Sequence, residues 1–416
     1  MYRKVLLVNV FLVGENSGTG NTVKNILGEY PQDMLMQFCL DETSRDAVTS
    51  ISNTEHIDSS YNRLISYIRN KRKSSVNAGT PVVNHIAQSV SLRTAVHEFL
   101  SGIIDSLPGH MNSIYKKTDA FQPEVIFTCG ATITIMRSAV KLSERYNAPV
   151  ILLLMDDWPQ TIYKKSILSL PFRWYALHLL KKCCSLSKQS FAISEAMADK
   201  YQSKYKIPFL PMMNPATHIS HTAAAGNTEC VVFTYAGSLS LNRWQSLLEI
   251  AEILCNVNNA GMKNECRLYV PSEYVNERFI SMFSAFNAQL LPYVPADKVY
   301  EVYESSDVLI FTESFNKATE KFTSLSLSTK IPEYMGAGRP ILAYLPGSLY
   351  SGRYITERNV GLVSNDKDKL QADIKLLISD AALRRELSNN GIETAEKEHS
   401  AKIEQEKFIN AVNKQY

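Results

Sequence analysis

Residues 326–340 read SLSTKIPEYMGAGRP, an order of caps, proline and glycines that marks a loop, a short helix and a strand. Ser326, Ser328 and Thr329 stand at the helix start, Pro332 falls in its first turn, and Gly336 and Gly338 end it ahead of the apolar run RPILAY. Proline costs little there, because the first four N–H groups of a helix have no partner within it. Those same groups, with the helix dipole, suit an anion such as a pyrophosphate. Glu333, one turn further in, has the chemistry to accept hydrogen bonds from a ribose diol. The stretch thus predicts an anion site beside a diol acceptor.

Outward from it, the C-terminal half alternates strand and helix patterns: VVFTYAGS, RWQSLLEIAEILCNV, ECRLYVPS, QLLPYVP, ADKVYEVYESS, DVLIFTES, RPILAY and NVGLVSN. That rhythm predicts a parallel sheet. The N-terminal half opens on KVLLVNVFLV, apolar without alternation, as a strand covered on both faces requires. The loop with Gly18, Thr19 and Gly20 follows, with a helix beginning near Thr19; the basic, apolar N-terminus lacks a small-residue cleavage site and reads as a strand, not a leader. PEVIFTCG and PVILLLMDD, separated by TITIMRSAVKLSERY, continue a βαβ rhythm. Between these, residues 41–118 carry long amphipathic stretches that predict a helical insertion. Residues 214–230, small, polar and proline-containing, read as a linker.

With 416 residues, 45% hydrophobic and 20% charged, the chain is sized for two globular domains. A net charge of +3 gives no ground for a nucleic-acid partner. Seven scattered cysteines form neither a CxxC metal pattern nor a disulfide framework, which fits a reducing, cytoplasmic compartment. No apolar run reaches the length of a membrane span. Two basic segments bear on a membrane surface nonetheless. Arg69, Lys71, Arg72 and Lys73 end one helix, and Lys164, Lys165, Lys181 and Lys182 flank the aromatic stretch YKKSILSLPFRWYALHLLKKC. Each reads either as a solvated helix end or as a contact with an anionic, peripheral membrane surface.

Ligands of parallel α/β sheets bind beyond the carboxyl ends of the strands. The candidates there are Gly237 to Arg243, Pro271, Ser272, Tyr293, Val294 and Glu313 to Asn316 in the second half. In the first half they are Gly14 to Gly20, Gly130, Met155 to Trp158, and Ser194. Asp156 and Asp157 offer carboxylates for a sugar hydroxyl or an acceptor nucleophile, and Asp157 reads equally as a turn former before Pro159.

YAGSLSLNRWQSLLEIAEIL, and SDVLIFTESFN followed by STKIPEYMGAGRPILAY, resemble the family four retaining glycosyltransferases of GT-B fold. The resemblance implies two Rossmann-like domains with parallel sheets facing across a cleft. Their predicted bounds are 1–213 for an acceptor-binding domain, 231–395 for a nucleotide-sugar domain, and 396–416 for a last helix crossing back. It further implies that Gly237 and Ser238 open the donor loop, and that Arg243 meets the pyrophosphate, a role suited to a bidentate guanidinium. Lys330 would lie beside the phosphates with Ser328 and Thr329, Glu333 would hold the ribose, and Glu313 would match the first glutamate of the family's pair. The chain departs from the family in the polar insertion KATEKFTSLSL between the two glutamates, in Asn316 where glycine is common, and in Asp156–Asp157–Trp158 where many members carry a histidine.

The expected activity is transfer of a sugar, with retention, from a UDP- or GDP-sugar to a glycan or lipid-linked saccharide in surface polysaccharide assembly, with no metal ion required. The rivals are a sugar-nucleotide epimerase on the same fold and a non-catalytic binding protein. A dinucleotide dehydrogenase is disfavoured by the absence of GxGxxG.

Overall fold

The computed structural model describes residues 2–14, 17–40, 49–56, 92–107, 111–223, 229–261, 263–295 and 298–414. Much of the predicted 41–118 insertion, including the Arg69 to Lys73 cluster, lies outside the described residues. Two compact units are formed: the residues up to Asn214 group with those from Ala401 onward, and Pro215–Ser400 form the other.

In the first unit the described strands are β1 (Val5–Asn9), β2 (Leu35–Cys39), β3 (Thr54–His56), β4 (Val125–Thr128), β5 (Val150–Leu154), β6 (Ser190–Ala192) and β7 (Phe209–Pro211). They lie in the order β3-β2-β1-β4-β5-β6-β7, and every pairing is parallel. All residues of β1 and β5 are buried, which is why both read as unbroken apolar runs. The order reverses between β1 and β4, so their carboxyl ends flank a crevice.

β2 and β3 escaped the sequence reading. At the centre of β2 sits Gln37, buried because its Oε1 accepts Val13 N at 3.0 Å and its Nε2 donates to Thr54 Oγ1 of β3 at 2.8 Å. A satisfied polar residue in a core strand breaks the apolar signal without breaking the strand. The helix Ala401–Lys414 completes this unit. Phe408 is fully buried with its ring 5.9 Å from Tyr30 and 5.7 Å from Phe127, and Glu404 accepts Met213 N at 3.3 Å.

In the second unit the described strands are β8 (Val232–Ala236), β9 (Glu265–Val270), β10 (Ala288–Pro292), β11 (Val308–Thr312), β12 (Ile341–Tyr344) and β13 (Gly361–Ser364). Their order is β10-β9-β8-β11-β12-β13, again wholly parallel, with the reversal between β8 and β11. Phe233, Ile310 and Leu342 from the strands pack with Leu247, Ile250 and Leu254 of the helix Arg243–Asn259 to form its core.

Three local details differ from expectation. The polar insertion is itself helical, Lys317–Thr323, started by Asn316, whose side chain accepts Ala318 N at 3.0 Å. The helix of the opening stretch runs Lys330–Gly336, so Gly336 lies inside it and does not end it. Gly336 is small for another reason: a Cβ would run into the carbonyl of His218, in a segment whose Ser220 N donates to Gly336 O at 2.7 Å. Gly338, at φ +64°, supplies the left-handed turn that stops the chain. Residues 215–223, read as linker, are therefore fastened to this helix, and Arg339 secures them further by donating to Thr222 O at 3.3 Å and to Glu304 O at 2.6 Å.

Candidate functional site

β8 ends at Ala236, and Gly237 begins a loop whose Leu241 and Asn242 take positive φ before the helix starts at Arg243. This geometry carries Arg243 across to β11. Its Nε donates to Glu313 Oε2 at 3.0 Å and its Nη2 to Glu313 Oε1 at 2.9 Å, the bidentate arrangement that a guanidinium favours. Glu313 is only 4% exposed, and its carbonyl accepts Ser246 Oγ at 3.0 Å. Arg243 and Glu313 therefore close the mouth of the β8/β11 switch point from both sides.

Lys330 reaches the same place from the helix Lys330–Gly336. Its ammonium donates to the Ala236 carbonyl and lies 4.7 Å over the Tyr235 ring. Glycine at 237 is what admits it, since a Cβ there would overlap Lys330 Nζ. Burial, and then the neighbouring Arg243 charge, push the ammonium down to about 7 against the opposing pull of Glu333 and Glu313. The cation is thereby weakened in the unliganded chain, and an incoming anion would strengthen it.

Glu333 is half-buried on the same helix and accepts the Tyr303 hydroxyl at 3.3 Å. Burial and the Glu333 charge hold the Tyr303 phenol well above its ordinary value, so it stays a donor. Tyr334 packs edge-on against Tyr303 at 5.1 Å, and burial holds its phenol well above its ordinary value. Ser238 accepts Tyr235 through its carbonyl at 2.8 Å, and its hydroxyl takes Ser240 N at 3.1 Å, which fixes the loop. Ser328 Oγ accepts Lys330 N at 3.5 Å, whereas Thr329, the cap residue, makes no side-chain capping bond. Arg243, Glu313, Lys330 and Glu333 are thus brought together with Gly237 and Ser238 at one strand crevice. Tyr235, Tyr303 and Tyr334 join them, unsignalled in the sequence because tyrosines in an apolar period read as core. Tyr293, after β10, stands 57% exposed.

In the first unit the candidates lie around the β1/β4 switch point. Ser17 caps the helix Gly18–Leu27 by accepting Gly20 N at 3.0 Å, with Thr19 in its first turn. Gly20 is pressed against the carbonyls of Leu12 and Gly14, so a side chain there has no room. Asp157 is buried, with Oδ2 2.6 Å from Lys200 Nζ and Oδ1 2.5 Å from the Tyr201 hydroxyl. Both of its oxygens are thereby committed within the fold. Asp156 is half-exposed, and its charge adds to burial in raising the Cys129 thiol at the end of β4. Ser194 caps the helix Glu195–Tyr205 by accepting Met197 N at 3.1 Å.

One residue absent from the sequence reading dominates the β4 side. The buried carboxylate of Asp105 accepts Ile133 N at 2.7 Å and Thr134 N at 3.0 Å, and takes the Tyr163 hydroxyl at 2.7 Å. It satisfies the start of the helix Ile133–Tyr146 from a distant element, the helix Leu92–Ser106. Among the described residues, no group of three or more His, Cys, Asp or Glu side chains is placed to hold a metal ion.

Residues 245–409 match the family model described as Glycosyl transferase-like. No curated protein matched the sequence. Among solved structures, Anabaena Alr3699/HepE in complex with UDP aligns with a TM-score of 0.66 at 12% identity, covering 99% of this chain and 100% of that one. Sucrose-phosphate synthase from Thermosynechococcus elongatus gives 0.62 at 11% identity, with 99% of each chain covered. An E. coli trehalose-6-phosphate protein bound with UDP-2-fluoro glucose gives 0.57 at 12% identity over 98% of both chains. These likenesses establish the fold, the two parallel-sheet units of GT-B structures.

Proposed function

We propose that the chain is a glycosyltransferase that moves a sugar from a nucleotide-diphosphate sugar, UDP- or GDP-linked, to a glycan or lipid-linked saccharide. The observation that carries this reading is the convergence of Arg243, Lys330 and Glu333 at the β8/β11 switch point, two cations and a half-buried carboxylate where an α/β sheet binds its ligand. The family model and the UDP in the aligned structures support it.

Lys330 and Arg243 would neutralise charge building on the departing diphosphate, which is the largest electrostatic contribution such a site offers. Glu333, with Tyr303 donating to it, would accept from the ribose diol. Glu313 is then a positioning residue in the unliganded chain, holding the guanidinium planar against β11. On this reading the side chains supply the counter-charge to the diphosphate, and no metal is called for. Retention, and a place in surface polysaccharide assembly at the cytoplasmic side of a membrane, follow from the family resemblance and belong to the same proposal. Of the two aspartates, Asp156 has the exposure for an acceptor-side role.

The test is binding and nucleotide release across a panel of UDP- and GDP-sugars, with and without glycan or lipid-linked acceptors, for the parent and Glu333→Ala. Loss of a carboxylate accepting from a diol costs about 1.5–3 kcal/mol, or roughly ten- to more than hundredfold in affinity. Undiminished affinity in a folded Glu333→Ala chain would sink the assignment.

A further inference from the structure

The helix Leu92–Ser106 carries an apolar stripe that none of the described residues buries. Val96, Leu100, Ile103 and Leu107 recur at helical spacing on one face, and each is exposed.

A second apolar feature packs against another side of this helix. The 3-10 turn Ile167–Ser169 and the helix Leu170–Ser185 project Ile167 at 83% exposure, Leu168 at 63% and Trp174 at 70%. The two elements are joined firmly. Glu98 of the stripe helix accepts Lys165 N at 2.9 Å and Ser166 N at 3.0 Å, Phe99 lies 5.7 Å from the Phe172 ring, and Gly102 leaves the space that ring occupies. The turn's projection is therefore held in place by its neighbours.

Charge decides what this surface meets. Along the exposed face of the second helix, Leu170 and Trp174 give way to His178 and then to Lys181 and Lys182, and Lys164 precedes the turn. Trp174 stacks on His178 at 5.6 Å. Glu98 is engaged by backbone amides, and Glu144 pairs with Lys182 at 3.5 Å, so that Lys164 and Lys181 carry most of the positive charge here. Arg173 turns inward to the carbonyls of Ile162 at 2.6 Å and Pro159 at 3.1 Å. What remains outward is an apolar wedge with an aromatic at its edge and lysines behind it. That pattern suits the boundary between acyl chains and anionic headgroups.

We infer that the turn and helix 167–185, braced by the helix Leu92–Ser106, dock the chain on an anionic lipid bilayer, with Ile167 and Leu168 entering the acyl boundary. The inference is independent of the donor-site assignment. No helix among the described residues is long and apolar enough to cross a membrane, so the attachment is a surface one.

The test uses the full chain with phosphatidylcholine vesicles, with and without phosphatidylglycerol, followed by sedimentation and by the emission of Trp174. The parent is expected to sediment with the anionic vesicles, with a blue shift and with binding that weakens as salt rises. The double substitution Ile167→Ser and Leu168→Ser lowers the partition coefficient by about tenfold or more. Lys164→Gln with Lys181→Gln lowers it on anionic vesicles and flattens the salt dependence. Circular dichroism and nucleotide-sugar affinity confirm that these surface variants fold. Failure of the parent to bind either vesicle, or equal binding by the Ile167→Ser/Leu168→Ser chain, would overturn the inference. So would a self-association in solution that this double variant abolishes without any vesicle binding, since it would assign the face to a second copy.

Discussion

On the proposed function, Lys330 makes donor binding a proton-linked event. Its ammonium is pushed down to about 7 in the unliganded chain by burial and by Arg243. A diphosphate seated between the two cations adds negative charge at hydrogen-bond range. One unit charge at about 4 Å is worth about 4 kcal/mol at the effective dielectric of a partly buried site, so the ammonium is raised in the complex. The ligand then binds the protonated form. Affinity falls as pH rises above about 7, and there a proton is taken up with the nucleotide sugar. Unliganded stability has the opposite slope: Lys330 remains protonated in the unfolded chain up to about 10.4, so its contribution rises with pH from about 7 across that window. Calorimetric titration of a UDP- or GDP-sugar at pH 8, in buffers of differing ionisation heat, measures the proton directly. A nucleotide sugar is preferred to free UDP because its diphosphate does not titrate in this range. Lys330→Met is expected to abolish the uptake and flatten the pH profile. If parent and Lys330→Met take up the same number of protons, Lys330 does not face the diphosphate and the reasoning fails.

Three further outcomes follow from the same geometry. Gly237→Ala places a Cβ where Lys330 Nζ lies, so it should weaken donor binding about as much as Lys330→Met does, and the double variant should lose little more than either single one, measured as non-additivity in a binding cycle. Glu313→Gln leaves Arg243 without its carboxylate in a buried pair, which costs up to about 3–5 kcal/mol. With Arg243 itself partly exposed the loss should fall toward the lower end, read by chemical denaturation and accompanied by tighter, not weaker, diphosphate binding as the guanidinium is released. Asp157→Asn removes the charge that Lys200 and Tyr201 share and should lower the stability of its unit by about 1–3 kcal/mol while leaving donor affinity unchanged; abolished turnover at undiminished stability would instead restore the acceptor role read for Asp157 in the sequence.

The parts of the fold legible in the sequence are those where burial on both faces leaves a continuous apolar run, as in β1, β5 and β11. β3, Thr54–His56, has no buried residue, and β2 hides behind Gln37, so neither has a signal in apolar patterning. The candidate site divides similarly. Arg243, Lys330 and Glu333 are polar residues just past strands or at helix starts, where function is readable from position alone. The Arg243–Glu313 pair was not readable, because it depends on a loop with two positive-φ residues turning a helix start toward the neighbouring strand. Asp105 was hidden by range: it is one polar residue in an amphipathic helix until the fold sets it against amides 28 and 29 residues away.

The two units share a strand order with a reversal, yet the helix starts around their switch points are not all satisfied alike. In the first unit those helix starts are satisfied by the protein: Ser17 bonds Gly20 N, Thr132 bonds Ile135 N, and Asp105 takes Ile133 N and Thr134 N. A carboxylate already sits where an external anion would be drawn, and a second anion there would meet its charge. In the second unit the helix that follows β11, Lys317–Thr323, is likewise capped, by Asn316 accepting Ala318 N at 3.0 Å, whereas the helix that follows β8 begins at Asn242 and the helix of the opening stretch at Thr329, neither with a capping bond from that residue's side chain. Arg243 and Lys330 stand at the first positions of those two helices, where a cation opposes the helix dipole and is unfavourable by itself. Two uncapped helix starts that each carry a cation are locally costly in the empty chain, and on the proposed function a diphosphate would relieve both costs at once. Topology alone would allow an anion at either switch point; the cations at these two uncapped starts are what favour the second unit in that proposal.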